Sequence, residues 1–151
     1  MVRVKLRYIV VEINPTRKQQ SSEFTVKHVS IFQALADQVQ KIHGDFGAAA
    51  IRAGFVVRYI NEHTRIAFIR ARKGPHRFVT SVIPLIKTIE GKEVFITTLY
   101  TGATLRQCYI YLKQYQQKKL DKFCSTLNTE EEKSHLKEVM LNLDSFVNAI
   151  Q

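Results

Sequence analysis

The chain has 151 residues, with 23 Lys and Arg against 13 Asp and Glu, a formal net charge of +10 and 45% hydrophobic content. That length suits one domain, and so much apolar content closes a core and excludes a wholly disordered polypeptide. Residues 1–119 carry 20 of the Lys and Arg and 7 of the Asp and Glu, a net of +13, while residues 120–151 carry a net of −3, so the cations belong to the folded body and imply an ordered surface for a polyanion.

The chain opens Met1-Val2-Arg3-Val4-Lys5-Leu6-Arg7-Tyr8-Ile9-Val10. Alternation of this kind predicts a strand over Val2–Ile13, with Val2, Val4, Leu6 and Tyr8 on one face and Arg3, Lys5 and Arg7 on the other. Strand rise spaces those charges by roughly 6.6 to 6.8 Å, near the phosphate repeat of a nucleic-acid strand. The same row would serve equally as the solvated face of an antiparallel sheet. Interruption by these charges makes the run unlike a secretory leader, and no segment approaches the ~20 apolar residues of a membrane span, so a soluble intracellular protein with no membrane partner is expected.

Asn14-Pro15 ends the strand, and the polar stretch Thr16–Glu23 predicts a loop. A helix capped by Ser30 carries Ile31, Leu35, Val39 and Ile42 at helical spacing and stops at Gly44. Ile51–Ile60 alternates as a second strand, Asn61–Thr64 is a turn and Arg65–Arg72 a third strand. On these strands Arg52 with Arg58, and Arg70 with Arg72, keep period two and would join the row of Arg3, Lys5 and Arg7. A wet strand end is the other reading of Arg70 and Arg72. Gly74-Pro75 starts a second helix through Phe78, Val82, Leu85, Ile86 and Ile89, kinked at Pro84 and ended by Gly91. Val94–Tyr100 is the fourth strand. After Gly102 a long helix carries Leu105, Cys108, Tyr109, Leu112 and Tyr115; Thr129 with Glu132 forms a capping box for a last helix with Leu136, Val139, Met140, Leu143 and Phe146.

The order β-α-β-β-α-β predicts an α+β fold: a ferredoxin-like split βαβ sandwich, with a four-stranded antiparallel sheet, helices on one face and additional C-terminal helices. Residues 1–124 would form one RNA-binding domain, and 125–151 an amphipathic helix packed on it or on a partner. RNA-recognition domains use the open sheet face through aromatic residues on the first and third strands. These are missing here, so the surface suits backbone contact better than base stacking.

Thr101-Gly102-Ala103-Thr104-Leu105-Arg106 places free helix-start amides beside Arg106, with Lys113 two turns on, where a phosphate could dock; ordinary capping by Thr101 or Thr104 explains the same residues. Gly44-Asp45-Phe46-Gly47 fits either a backbone clamp for a nucleotide or a helix stop and turn. For catalysis the chain offers little. His28, His43, His63, His76 and His135 lack metal spacing, no nucleophile elbow is present, and Glu130–Glu132 reads as the acidic first turn of a helix. Cys108 and Cys124 are expected as free thiols.

Met1 to Tyr8, His43-Gly44-x-Phe46-Gly47-Ala48-Ala49, Val57-Arg58-Tyr59, Ile69-Arg70-x-Arg72-Lys73 and Gly102-x-Thr104-x-Arg106 together closely resemble the Pop-five family of protein subunits of ribonuclease P and ribonuclease MRP. The resemblance runs over roughly residues 1–124. Ala103 departs from a position where Gly or a Ser-Gly pairing is common, and the tail lacks the long acidic runs of many members. The resemblance implies a non-catalytic subunit that supports a catalytic RNA and assembles with a TIM-barrel-like protein subunit. It further implies magnesium on the RNA with no cofactor or small-molecule ligand on this chain, and precursor tRNA as a further contact. Removal of precursor tRNA 5′ leaders, precursor rRNA cleavage, and a nuclear, chiefly nucleolar, location follow from it. Under this reading Arg3, Lys5, Arg7, Arg52, Arg58, Arg70, Arg72, Lys73, Arg106 and Lys113 neutralise phosphates. A protein-assembly adaptor with charge for solubility, and a self-sufficient ribonuclease, are the competing classes.

Overall fold

Ile9, Val10 and Val11 have no solvent exposure at all, and a strand buried on two faces needs cover on both. In the computed structural model, which describes residues 3–16, 25–126 and 130–141, that cover comes from helices on both sides of one sheet. The elements in order are β1 (Leu6–Pro15), α1 (His28–Arg52), β2 (Val56–Asn61), β3 (Ile66–Arg72), α2 (His76–Val82), β4 (Thr88–Ile89), β5 (Lys92–Gly102), α3 (Leu105–Cys124) and α4 (Glu130–Leu141). A 3-10 turn, Ile83–Leu85, follows α2. The strand order is β2-β3-β1-β5-β4, and neighbouring strands are antiparallel.

The α+β class is as expected, but the sheet has five strands instead of four. The added one is the short β4, paired with β5 through Ile89↔Lys92. Glu90 and Gly91 both take positive φ, 52° and 74°, which is the two-residue hairpin geometry. The helix expected to reach Ile89 ends earlier, because Pro84 brings no N–H to an α-helical ladder; the chain tightens into the 3-10 turn and then extends.

The first helix runs past its expected stop. Gly44 takes φ 65°, ψ −162° and kinks it, and a second helical segment continues to Arg52. Ala48, Ala49 and Ala50 favour helix, and Gly47 and Ile51, four apart, are buried on the same stripe as Leu35 and Val39. Arg52 therefore ends a helix and is not a strand residue, and β2 begins at Val56 instead of Ile51. Ser30 does not cap α1: Lys27 holds the cap position, and the Ser30 hydroxyl hydrogen-bonds the Glu90 carboxylate in the β4–β5 turn.

Helices α1 and α2 cover one face, where Ile9, Val11, Ile13, Ala67, Ile69, Val94 and Ile96 pack with Leu35, Val39, Val79 and Val82. The second face, expected to stay open, is covered by α3: Val10, Tyr59, Ile66 and Phe68 pack with Cys108 and Leu112. Burying each such large apolar side chain is worth roughly 1.5–3 kcal/mol. Farther along α3, the Tyr115 hydroxyl donates to Glu12 Oε2 at 3.0 Å, and Lys119 pairs with the other oxygen of that carboxylate, which is only 6% exposed. Helix α4 packs on α3, with Leu136, Val139 and Met140 half-buried. Val2, most of the Thr16–Glu23 loop, the Thr129 cap, Leu143 and Phe146 lie outside the described residues.

Candidate nucleic-acid interface

The register of the sheet gathers most of the expected cations at one end. Leu6 pairs with Arg72, Tyr8 with Gly102 and Val56 with Arg70, so the start of β1, the end of β3, the start of β2 and the end of β5 share an edge of the sandwich. Arg3 and Lys5 lead into β1 there and are exposed, and Arg7 is half-buried one residue inside the strand. Lys73 leaves β3 beside them, its N–H donating to the Lys5 carbonyl at 2.8 Å. Arg72 lies over Gly54, two residues after Arg52 has closed α1; a Cβ at Gly54 would sit 3.2 Å from Arg72 Cγ. Arg106 stands in the first turn of α3 just beyond Gly102.

Phase along the strands differs from the expected single row. Leu6, Tyr8 and Val10 lie on the α3 face with Arg70 and Arg72 across from them, whereas Arg7 precedes Ile9 on the α1–α2 face. Arg70 and Arg72 therefore do not continue the row of Arg3, Lys5 and Arg7 over one open face. They meet it around the rim at the strand end, where side chains of both faces reach solvent. The expected open cationic sheet face does not exist, because α1 and α2 cover the face of Arg7 and α3 covers the other.

Two expected residues stand apart from the rim. Arg58 is the extra residue of a β-bulge, since Val57 pairs with Ile69 and Tyr59 with Phe68; it is exposed on the outer edge strand, where a bulged cation blunts edge pairing. Lys113 is exposed two turns into α3.

Two residues that sequence reasoning passed over join the rim. His76 opens α2, its Nδ1 accepting the Gly74 N–H at 3.1 Å. Partial burial first, then the charges of Arg7, Arg77 and Lys73, hold its pKa below the ordinary histidine value, against a main-chain contact with Arg72 that favours the charged form. Arg77 is exposed beside it. The signal was the run Arg72-Lys73-Gly74-Pro75-His76-Arg77, four basic residues around a turn.

Among the described residues the ion pairs are Lys119–Glu12 and Lys133–Glu130, so none of the rim cations is neutralised within them. Arg70 Nε is buried without a hydrogen-bond partner. Local capping takes up part of the α3 start: Thr104 Oγ1 accepts the Gln107 N–H at 3.3 Å and the Gln107 side-chain oxygen accepts the Ala103 N–H at 3.3 Å. Ordinary capping by Thr104 thus accounts for that motif, and the positive end of the α3 dipole still points toward the rim. Gly44 supplies the kink of α1. Gly47 supplies close packing, since a Cβ there would meet His43 Cβ at 2.4 Å. Among the described residues no group of three or more His, Cys, Asp or Glu could hold a metal ion, and no helix is long and apolar enough to cross a membrane.

Residues 7–113 match the family described as Rpp14/Pop5. A ribonuclease P/MRP protein subunit POP5 from Bos taurus is 36% identical over 124 residues, covering 80% of this chain and 72% of that protein. The chain belongs to the Rpp14/Pop5 family. Another POP5 subunit of this family, from Danio rerio, is 33% identical over 148 residues, or 94% of this chain and 86% of the relative. The fold recurs in a chain of a cryo-EM structure of yeast ribonuclease MRP, with a TM-score of 0.56 at 13% identity over 84% of this chain and 99% of that one.

Proposed function

We propose that this Rpp14/Pop5 protein is a non-catalytic subunit of ribonuclease P and of ribonuclease MRP, and that its basic rim positions the catalytic RNA by neutralising phosphates. The observation that carries this is the convergence of Arg3, Lys5, Arg7, Arg52, Arg72, Lys73 and Arg106 on one end of the sandwich, with none of them in an ion pair among the described residues. Like charges held so close favour an anion across them. The names of the POP5 relatives supply the enzyme. On this reading the holoenzyme trims precursor tRNA 5′ leaders and cleaves precursor rRNA in the nucleus, chiefly the nucleolus, with magnesium on the RNA and no cofactor on this chain. Precursor tRNA is a further RNA contact. Residues 1–124 form the RNA-binding domain, with 125–151 appended, and a TIM-barrel-like subunit is the protein partner.

Sequencing of RNAs recovered with the tagged chain from cells tests the assignment: enrichment of the ribonuclease P and MRP RNAs is expected, and recovery free of structured RNA would defeat it. In vitro, six to ten phosphate contacts predict a loss of ~10³ to 10⁵ in affinity between roughly 50 and 200 mM salt. A flat salt profile favours the protein-assembly adaptor instead.

A further inference from the structure

Strand β5 runs well past the strand that borders it. The pairing with β4 takes in only Lys92 and Glu93, and beyond it the Val94 N–H donates to the Lys87 carbonyl at 2.8 Å. From there to Gly102 the margin of the sheet is β5 itself. The hairpin fixes which main-chain groups face out. Ile89↔Lys92 closes a two-residue loop, so Lys92 and Val94 bond toward β4, while the Glu93 carbonyl turns to β1 and accepts the Thr16 N–H at 3.1 Å. The same alternation carries Ile96 and Thr98 outward. Val10 pairs with Tyr100 and Val11 with Thr98, so Leu99 is a bulge residue and Thr101 is the next to face out. Among the described residues no group hydrogen-bonds the outward N–H and C=O of these three.

Such an edge templates another strand unless charge or proline blunts it. The opposite margin, β2, has the bulged Arg58. Val94-Phe95-Ile96-Thr97-Thr98-Leu99-Tyr100-Thr101 has no charge, no proline and no glycine, which is the composition of a pairing strand. Its side chains complement their own copy. Opposite Asn14, Glu12 and Val10, the residues Phe95, Thr97 and Tyr100 lie on the α3 face, and at this margin α3 leaves Phe95 62% exposed. Tyr100 stacks on Tyr111 with ring centroids 4.7 Å apart, and Tyr111 on Tyr115 at 6.3 Å, a half-buried aromatic column on the flank of α3. Antiparallel pairing of β5 with a second β5 lays each Phe95 beside the column of the other copy. It also sets Glu93, two residues before Phe95 on the same face, against Arg106 at the start of the other α3; both are exposed.

We propose that the Ile96–Thr101 edge of β5 pairs with the same edge of a second copy of this chain, antiparallel about a two-fold axis, so that two five-stranded sheets become one. This does not depend on the RNA-binding reading, and the basic rims of the two copies stand at opposite ends of the joined sheet. The seam is short and interrupted by the bulge, which places the pairing in the weak class of interfaces. Copies that each carry a net charge of +10 repel, so salt strengthens the pairing by screening that repulsion.

Sedimentation equilibrium of the full chain from about 1 to 100 μM, in roughly 0.3 M salt, should show monomer passing to dimer and no larger species. Hydrogen exchange compared at the two ends of that range should slow in the β5 peptide, where the amides of Ile96, Thr98 and Thr101 gain partners, and in no other strand. Thr98→Pro removes only an outward N–H and leaves the bonds to β1 in place. Phe95→Lys changes a surface side chain, keeps the test open where the proline variant fails to fold, and puts like charges at the seam. Each should raise the dissociation constant by about tenfold or more. Phe46→Lys, which removes an aromatic side chain 75% exposed on α1, should leave it unchanged. A chain that sediments as a monomer throughout overturns the proposal, as does a dimer lost with Phe46→Lys and kept with Phe95→Lys. Protection of the β5 amides only in complexes recovered from cells also overturns it, and gives the edge to the strand of a different protein.

Discussion

Gly102 and Cys108 show how one residue decides whether α3 can lie on the sheet. A Cβ at Gly102 would stand 2.9 Å from the Cys108 sulfur and 2.9 Å from the Tyr100 ring, both of which belong to the packed layer between β5 and α3. Gly102→Ala forces one of them aside, and the expected loss is about 1–3 kcal/mol of stability by urea unfolding; an unchanged midpoint would mean that the layer yields freely. Burial also pushes the Cys108 thiol up to about 11, whereas Cys124 is only half-buried. Since the thiolate is the nucleophile, iodoacetamide near pH 8 should label Cys124 and spare Cys108, read by peptide mass. The folded pKa of Cys108 lies above the unfolded one, so the stabilisation from its neutral thiol is complete below the unfolded thiol range and is lost as pH rises toward about 11. Stability should therefore fall along an alkaline limb that is shallower in Cys108→Ala.

At the scale of elements, α3 is the part that the sequence expectation misplaced, and β1 held the clue. The alternation of Val4, Lys5, Leu6 and Arg7 predicts a strand with one wet face, but β1 begins only at Leu6, Val4 is exposed along with Arg3 and Lys5, and Leu6 and Arg7 are both half-buried. From Ile9 the pattern changes to three consecutive aliphatic residues, the mark of a strand buried on both sides, and Ile9, Val10 and Val11 are all at 0% exposure. The α3 stripe of Cys108, Leu112, Gln116 and Leu120 is its complement. Gln116 disguised it, being an amide in a position fully buried without a hydrogen-bond partner for either polar atom. Hairpin β2–β3 was legible from Asn61, whose side chain accepts the N–H groups of His63 and Thr64. The limits of α1 were not, because Ile51, Ala53, Phe55, Val57 and Tyr59 alternate as a strand would, while tertiary packing draws Ile51 into the helix. Leu112→Ala removes a side chain 1% exposed at the centre of the α3 layer, and a loss of about 2–5 kcal/mol is expected in equilibrium unfolding. A cost below that range would mean α3 is a loosely held cover instead of half of the core.

Across the whole molecule, charge is organised along the strand direction and not across the sheet. Both faces are occupied, so only the ends of the sandwich and its edges remain for a ligand, and the two ends differ. One collects Arg7, Arg72, Lys73 and Arg106, while the other carries Glu62 and Glu90 at its turns and Glu93 near the start of β5, among basic residues. The identity of the cations was legible from period two and local clusters; their common location was not, because it depends on the register of four strands and on where three helices begin or end. Charge reversal at selected positions separates a site from mere net charge. Removing one cation that touches a phosphate should lower the salt slope of RNA binding by about one. Arg72→Glu, Lys73→Glu and Arg106→Glu together should thus lower it by about three and weaken binding strongly. Arg58→Glu with Lys113→Glu, which reverses two charges away from the rim against three on it, should leave the slope nearly intact and weaken binding only through the long-range field, an effect that salt screens within about 10 Å at 0.1 M. If the two sets act alike per charge, the polyanion is attracted by overall charge alone and the rim has no special role.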